Sequence, residues 1–382
     1  MSNPRAAVVC LFVLSFICPC LPVESQAKPH AQSPQESISE ETARAVKLYQ
    51  RGDAQTAIHI LRDAVKQDKD DAVAWYYLGV VLSNNNNANE ARQAFEKALK
   101  LRPGFAAARV GLANLWLGAD KLSDAMHEAG LVLASEARNA EAHYIIGLVL
   151  LRQLDFSKAL EKADAALQIN PDFSPALLLK AEAFTYIYGQ VSYEAAQALT
   201  HNKTLLEELK KMSPEARSQR RQKLVAPLLP AVESLERYLT LNANSSDSVY
   251  WRDRLETLRF YIDLVDEDDS NRSVFHGYET TTSARISFRP KAEITEAARQ
   301  GKLHGKVVMK AVFAADGTVK HIIVLHPLKY GMTEQSVIAA RGIKFTPATK
   351  DGRPVSQYIL ISMGLVPRKL AALDWMSEQV HP

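Results

Sequence analysis

Cysteine is nearly absent from this chain of 382 residues: Cys10, Cys18 and Cys20 are the only three, and all lie at the extreme N terminus. If that segment is a leader, the mature protein has no disulfide and no thiol chemistry. There is also no Gly-rich phosphate loop, no dinucleotide turn and no His-Glu-x-x-His pair. His304, His321 and His326 are the histidines of the last hundred residues that tempt a metal reading. His321 and His326 stand five apart, so a regular strand sends them to opposite faces and they do not share a metal. No residue set calls for a cofactor or a metal, and none makes a catalytic group, so the chain reads as a non-enzyme. Excess charge is lacking too. A net of +3 gives no global reason to bind nucleic acid.

The charge is unevenly spread. From Arg285 onward there are fifteen Lys and Arg against seven Asp and Glu, a net of +8, which leaves −5 for the remainder. A basic C-terminal module therefore follows an acidic one, with the run Asp266-Glu267-Asp268-Asp269 near the divide. That run has neither the turn glycine nor the distal glutamate of a calcium loop and reads as a solvated linker. At the other end, "MSNPRAAVVCLFVLSFICPCLPVESQA" carries one arginine and then an uncharged run from Ala6 to Val23. Ser25-Gln26-Ala27 fits a small-x-small cleavage site, so residues 1–27 read as a secretory signal, followed by a linker over 28–37. A retained anchor over residues 6–23, giving inner-membrane association, is the alternative; Pro19 and Pro22 weaken it. Cys18 and Cys20 follow Ile17 and Pro19 where a lipid-attachment site wants a small residue. The expected location is the periplasm.

What the sequence has in abundance is period. "AWYYLGVVLSNNNNANEARQAFEKALKLRPG" holds Trp75, Leu78, Gly79, Ala91, Phe95, Ala98 and Pro103. Gly147, Ala159, Ala166 and Pro171 stand 68 residues after Gly79, Ala91, Ala98 and Pro103, two steps of 34. One step after, Ala113, Trp116 and Ala125 hold the corresponding places; one step before, Ala45, Ala57, Leu61 and Ala64 do. This pattern resembles the tetratricopeptide repeat, in which small residues let two antiparallel helices approach, aromatics fill the gap and a proline ends the second helix. Four copies then start near residues 38, 72, 106 and 140 and fill 38–173. Asn84 to Asn87 fall in the turn between two helices, where asparagine tolerates left-handed backbone.

A fifth, diverged copy occupies 174–265. Its first helix begins at Ser174, with Ala181 and Phe184. Its best second helix, "PAVESLERYLTLNAN" with Ala231, Leu235 and Tyr238, comes about 38 residues late. The insertion, 188–225, is charged and helix-prone; lid, partner contact and simple packing all stay open. "SVYWRDRLETLRFYIDLV" reads as an amphipathic helix that closes the stack. Stacked helix pairs form a groove, and its lining is expected to include Tyr76, Val80, Val110, Asn114, Tyr144 and Leu148. Tyrosine area and amide hydrogen bonds suit a peptide partner there.

Beyond Val265 the period gives way to alternation. "GKVVMKAVFAADGTVKHIIVL" reads as two strands joined at Asp316-Gly317. A short helix over 294–300 precedes them, a helix with Thr333 as a cap follows, and "VSQYILISMGLV" is a last strand. In order stand Ala298-Arg299, Gly305, Val307, Asp316-Gly317, Phe345, Pro347-Ala348 and Gly352-Arg353-Pro354-Val355. This set resembles the TonB C-terminal domain, the part of an energy transducer that reaches outer-membrane receptors. The fold class implied for the whole chain is multidomain: an all-α repeat array, then a small α+β domain of a three-stranded antiparallel sheet with two helices. The domain would span 285–366, after a linker at 266–284 and before a tail helix at 367–382.

The resemblance implies that the last strand pairs with an extended receptor segment, through Gln357, Tyr358, Ile359, Leu360 and Ile361, by strand addition. Gln357, Ile359 and Ile361 would share one face, and Tyr358 and Leu360 the other. "FTPATKDGRPV" would then be structural: Phe345 anchors the helix exit, Asp351-Gly352 turns the chain, and Pro354 aims the strand. Ile294-Thr295 and Ile343 depart from the family's usual residues. The partners expected are a peptide in the groove and a TonB-dependent outer-membrane receptor or other envelope protein on the strand. The alternative is a membrane-anchored energy transducer of outer-membrane transport.

Overall fold

The computed structural model describes residues 38–202, 204, 208, 211–264 and 273–365. The chain forms two compact units, one ending at Val149 and the other beginning at Leu150. The leader or anchor expected over residues 6–23, the acidic run at 266–269 and the tail at 367–382 lie outside the described residues.

The helices keep the period. α1 (Glu40–Gln50), α2 (Ala54–Gln67), α3 (Ala72–Asn84), α4 (Ala88–Leu101), α5 (Ala106–Gly118), α6 (Leu122–Ser135), α7 (Ala140–Arg152) and α8 (Phe156–Ile169) follow in pairs. Short polar side chains start several of them. The Asp71 carboxylate accepts from the amides of Val73 (2.9 Å) and Ala74 (2.8 Å), and the carboxylates of Asp53 and Asp155 cap α2 and α8 in the same way. Inside each pair the chain reverses through one left-handed residue: Gly52 (φ 89°), Asn86 (59°), Asp120 (56°) and Leu154 (66°), each 34 residues after the last. The following amide then bonds to a carbonyl five residues back, as from Asn87 to Leu82 and from Lys121 to Trp116. Asn86 thus uses the freedom read from the asparagine run; Leu154 takes the same conformation at a steric cost.

The core of the first unit is built on close approach. Phe95 is 1% exposed and lies against Gly79 of α3 and Gly111 of α5. A β-carbon would sit 2.7 Å from the ring at Gly79 and 2.5 Å at Gly111. Both glycines are therefore fixed by packing.

In the second unit α9 (Ser174–His201) runs for 28 residues, far past one repeat helix, and carries the start of the insertion. α10 (Pro214–Val225) completes the insertion. α11 (Leu228–Leu241) supplies the late second helix; Asn242 donates to the Ser174 hydroxyl (2.8 Å) and Arg237 pairs with Asp172 (2.8 Å). α12 (Ser248–Asp263) follows, locked by Asp247, which accepts from Tyr238 (2.8 Å) and from the Trp251 indole (2.9 Å).

The strand-rich part comprises β1 (Val274–Phe275), β2 (Arg285–Phe288), α13 (Glu296–Gln300), β3 (Gly305–Phe313), β4 (Val319–His326), α14 (Met332–Arg341), β5 (Lys344–Thr346), β6 (Ala348–Lys350) and β7 (Arg353–Leu365). The main sheet has the order β1-β7-β3-β4, with β6 also paired to β7, while β2 and β5 form a separate ribbon. β7 and β4 flank β3 antiparallel, which gives the three long strands expected; β1 adds a parallel fourth. Gly317 (φ 83°) turns β3 into β4, and Asp351 (51°) with Gly352 (76°) turns β6 into β7. Thr295 caps α13. The α14 cap falls on Gly331; Thr333 instead bonds both the amide and the carbonyl of Leu328 at 2.8 Å.

The helix α12, read as closing the stack, packs both on α11 and on the sheet. Tyr188, Leu228, Leu235, Leu258 and Tyr261 from the helices form one core with Val308, Ile323 and Leu325 from the strands. The Tyr261 hydroxyl donates to the His321 carbonyl (2.9 Å) and Arg341 pairs with Asp253 (2.8 Å). The opposite face buries Val307, Met309, Phe313, Ile322, Val324 and Ile361 with Ala340 of α14. Packing is thus continuous across the segment read as a linker.

Candidate functional site

The last strand is where partner pairing was expected, and its residues have very different surroundings. The Gln357 side chain is buried, 3% exposed, and its Oε1 accepts from the Ala284 amide (2.6 Å). Ile361 is fully buried and Ile359 half-buried, both on the α14 face. Tyr358 turns to the other face, where the Lys310 ammonium sits 4.5 Å above its ring and His276 lies 5.1 Å away. Leu360 is 64% exposed. The alternation is as read from the sequence.

The edge is less open than expected. β1 pairs in parallel with Ser356 and Gln357, and β6 with Arg353 to Val355. Gln357 is therefore already used by the chain itself. Farther along, the Arg289 guanidinium donates to the Ser362 carbonyl (2.8 Å). Among the described residues no strand pairs with the outer side of Tyr358 to Leu365. The opposite sheet edge, β4, is closed by α9: a β-carbon on Gly189 would lie 2.1 Å from the Val324 carbonyl oxygen.

In the first unit Tyr76, Val80, Asn114, Tyr144 and Leu148 are all half-buried. Tyr76 has Tyr77 at 5.0 Å and Phe105 at 5.1 Å. Burial, and then the charge of Glu141, push its phenol well above the ordinary range; Glu141 is itself raised by burial. Val110 does not join the half-buried residues: it is 5% exposed and packs in the α5–α6 core.

Two features escaped the sequence. Lys310, in the middle of β3, lies under both Tyr261 (5.1 Å) and Tyr358 (4.5 Å), and burial lowers its ammonium to about 8. Glu182 on α9 is half-buried beside Tyr186, which stacks on Phe156 (4.9 Å, 13°). Burial pushes the Glu182 carboxyl up to about 7; the charge of Glu334 on α14 adds to this and Arg254 of α12 opposes it. The unbroken apolar runs "VVM" and "HIIVL" in β3 and β4 were the available sign that both sheet faces are covered. His321 stacks on Phe260 (4.0 Å) and His326 on Tyr193 (5.0 Å). Among the described residues no group of three or more His, Cys, Asp or Glu is placed to hold a metal. None of the described helices is long and apolar enough to cross a membrane.

Comparison with known proteins matches two regions of the chain. Tetratricopeptide-repeat profiles match residues 42–88, 72–105 and 140–173. The profile described as Gram-negative bacterial TonB protein C-terminal matches 295–363. A peroxisomal targeting signal receptor of Saccharomyces cerevisiae is 37% identical over 66 residues, 17% of this chain and 11% of that protein. The match thus spans about a tenth of the curated relative. The crystal structure of PilW, titled a widely conserved type IV pilus biogenesis factor, aligns at 16% identity and a TM-score of 0.43, over 59% of this chain and 87% of that one. The crystal structure of MamA aligns at 20% identity and 0.38, over 54% and 99%. The chain thus carries tetratricopeptide repeats in its first part and a TonB C-terminal-like domain over 295–363.

Proposed function

We propose that the protein is a periplasmic adaptor of the cell envelope. The repeat groove, through Tyr76, Val80, Asn114, Tyr144 and Leu148, takes a peptide partner. The β7 edge from Tyr358 to Ile361 takes an extended segment of an outer-membrane receptor or another envelope protein. The observation that carries this reading is the strand edge beyond Gln357. Among the described residues no strand pairs with the outer side of β7 from Tyr358 on, which supports a backbone capacity for a partner strand there. A photo-crosslinking residue at position 360, in full-length protein incubated with solubilised outer-membrane proteins, tests it. Capture is expected from position 360 and is lost in Tyr358→Pro, which removes a backbone donor on the side of β7 away from β3. Capture that survives the proline in a folded chain refutes strand addition.

A second reading, a membrane-anchored transducer of outer-membrane transport, is supported by the TonB C-terminal match. N-terminal sequencing of the protein from membrane and soluble fractions separates the two.

A further inference from the structure

The insertion in the fifth repeat is the segment that neither binding surface explains. Along α10, Arg217, Arg220, Arg221 and Leu224 fall at i, i+3, i+4 and i+7, which is one face of a helix. That face and Lys223 line a cleft of about 500 Å³. The other wall is α9, which presents Val191 and Ala195, also four apart. Val191 is 41% exposed, which leaves part of that apolar wall in water. Arg220 is half-buried, while Arg217, Arg221 and Lys223 are exposed.

Among the described residues the charges on this cleft face no carboxylate within ion-pair distance. Arg217 donates its Nε to the Met212 carbonyl (3.2 Å), a neutral acceptor. Among the described residues no ion pair engages Arg217, Arg220, Arg221 or Lys223. Elsewhere in the chain several arginines are paired: Arg62 holds Glu90, Arg109 holds Glu128 and Arg259 holds Glu236. The one acid of α10, Glu215, stands at the helix start, where its own backbone amide and then the Ser213 hydroxyl hold its carboxyl below the usual range.

We infer that this cleft docks an acidic amphipathic helix of a partner protein. A V-shaped groove with one apolar and one cationic wall fits a helix with leucine-type residues on one stripe and carboxylates on the next. Arginines a turn apart meet carboxylates placed at the same spacing on a helix laid alongside. A flat anionic surface would reach the exposed Arg221 and Lys223 but leave the half-buried Ala195 and Leu224 uncovered, so a helix is the better occupant. The site is separate from the repeat groove and from β7, and does not depend on the function proposed above.

The test uses the full chain and a helical probe peptide about four turns long. The peptide carries leucine on one stripe and glutamate on the adjacent one, and fluorescence anisotropy reads its binding. Vesicles of phosphatidylglycerol and of phosphatidylcholine are run in parallel. Binding of the peptide is expected, weakening with salt and falling at least about tenfold in Arg220→Glu/Arg221→Glu. The same loss is expected in Val191→Glu, which charges the apolar wall without touching the arginines. Circular dichroism checks that each variant is folded. Absence of peptide binding, equal binding of a lysine-substituted peptide, equal binding by the variants, or binding to anionic vesicles in place of the peptide each overturn the inference.

Discussion

Gly189 offers a perturbation whose sign runs against ordinary helix propensity. Alanine in a helix interior is normally better than glycine by about 1 kcal/mol. At Gly189 the added β-carbon would stand 2.1 Å from the Val324 carbonyl oxygen and 3.2 Å from the Leu325 Cα. Carbon and carbonyl oxygen do not approach closer than about 3.3 Å without strain. The helix or β4 must therefore shift by about 1 Å, and both neighbours are backbone. Overpacking typically costs about 1–3 kcal/mol, and a backbone clash belongs near the upper end. Offset by the propensity gain, Gly189→Ala should destabilise the α9–β4 contact by about 2 kcal/mol. The control is Gly130→Ala in α6, where nothing lies within 4 Å of the added carbon. There the full gain of about 0.5–1 kcal/mol is expected. Amide hydrogen exchange reads both, because it reports local opening in a chain of two units. Since about 1.4 kcal/mol is a factor of ten, exchange in residues 319–326 should speed by at least that much in Gly189→Ala. Exchange in 122–135 should slow in Gly130→Ala. Unchanged or increased protection of β4 in Gly189→Ala would refute the close approach of α9.

Two further outcomes are expected. Phe345→Ala removes a ring stacked on Phe313 (4.1 Å, 24°); because Phe345 is half-buried, the loss should fall short of the about 3–5 kcal/mol of a fully buried phenylalanine. Since α9 and α12 share the sheet's other core, limited proteolysis should open sites in those helices as well as in 285–365; trimming confined to the strands would contradict the shared core. Glu182 has its carboxyl raised from the usual carboxylate range to about 7, so between those values the folded state holds the proton more tightly than the unfolded one. Stability should then fall as pH rises through that window, and Glu182→Gln should flatten the dependence in urea unfolding at acid and neutral pH; an unchanged slope would remove Glu182 as its cause.

The repeats were legible because their determinants are local. A small residue at Gly79 and Ala91, a turn at Asn86 and a proline at Pro103 each act within one helix pair, and the 34-residue step repeats them. The hairpin at Asp316-Gly317 and the turn at Asp351-Gly352 were legible for the same reason: φ above zero selects the residue type. Leu154 takes the same turn conformation with no such mark, since the repeat around it imposes the geometry. The shape of the candidate site was not local. Gln357 lost its place on the open edge to a two-residue strand some eighty positions earlier, and Val110 left the groove for the core. Helix α9 covers β4 across more than a hundred residues of sequence, through a glycine that a helical pattern reads only as a weak point. Such contacts are chosen by which surfaces remain uncovered once the local elements exist. The chain's own pattern set those elements, and long-range burial decided which stretch of the last strand is left without a second partner strand among the described residues.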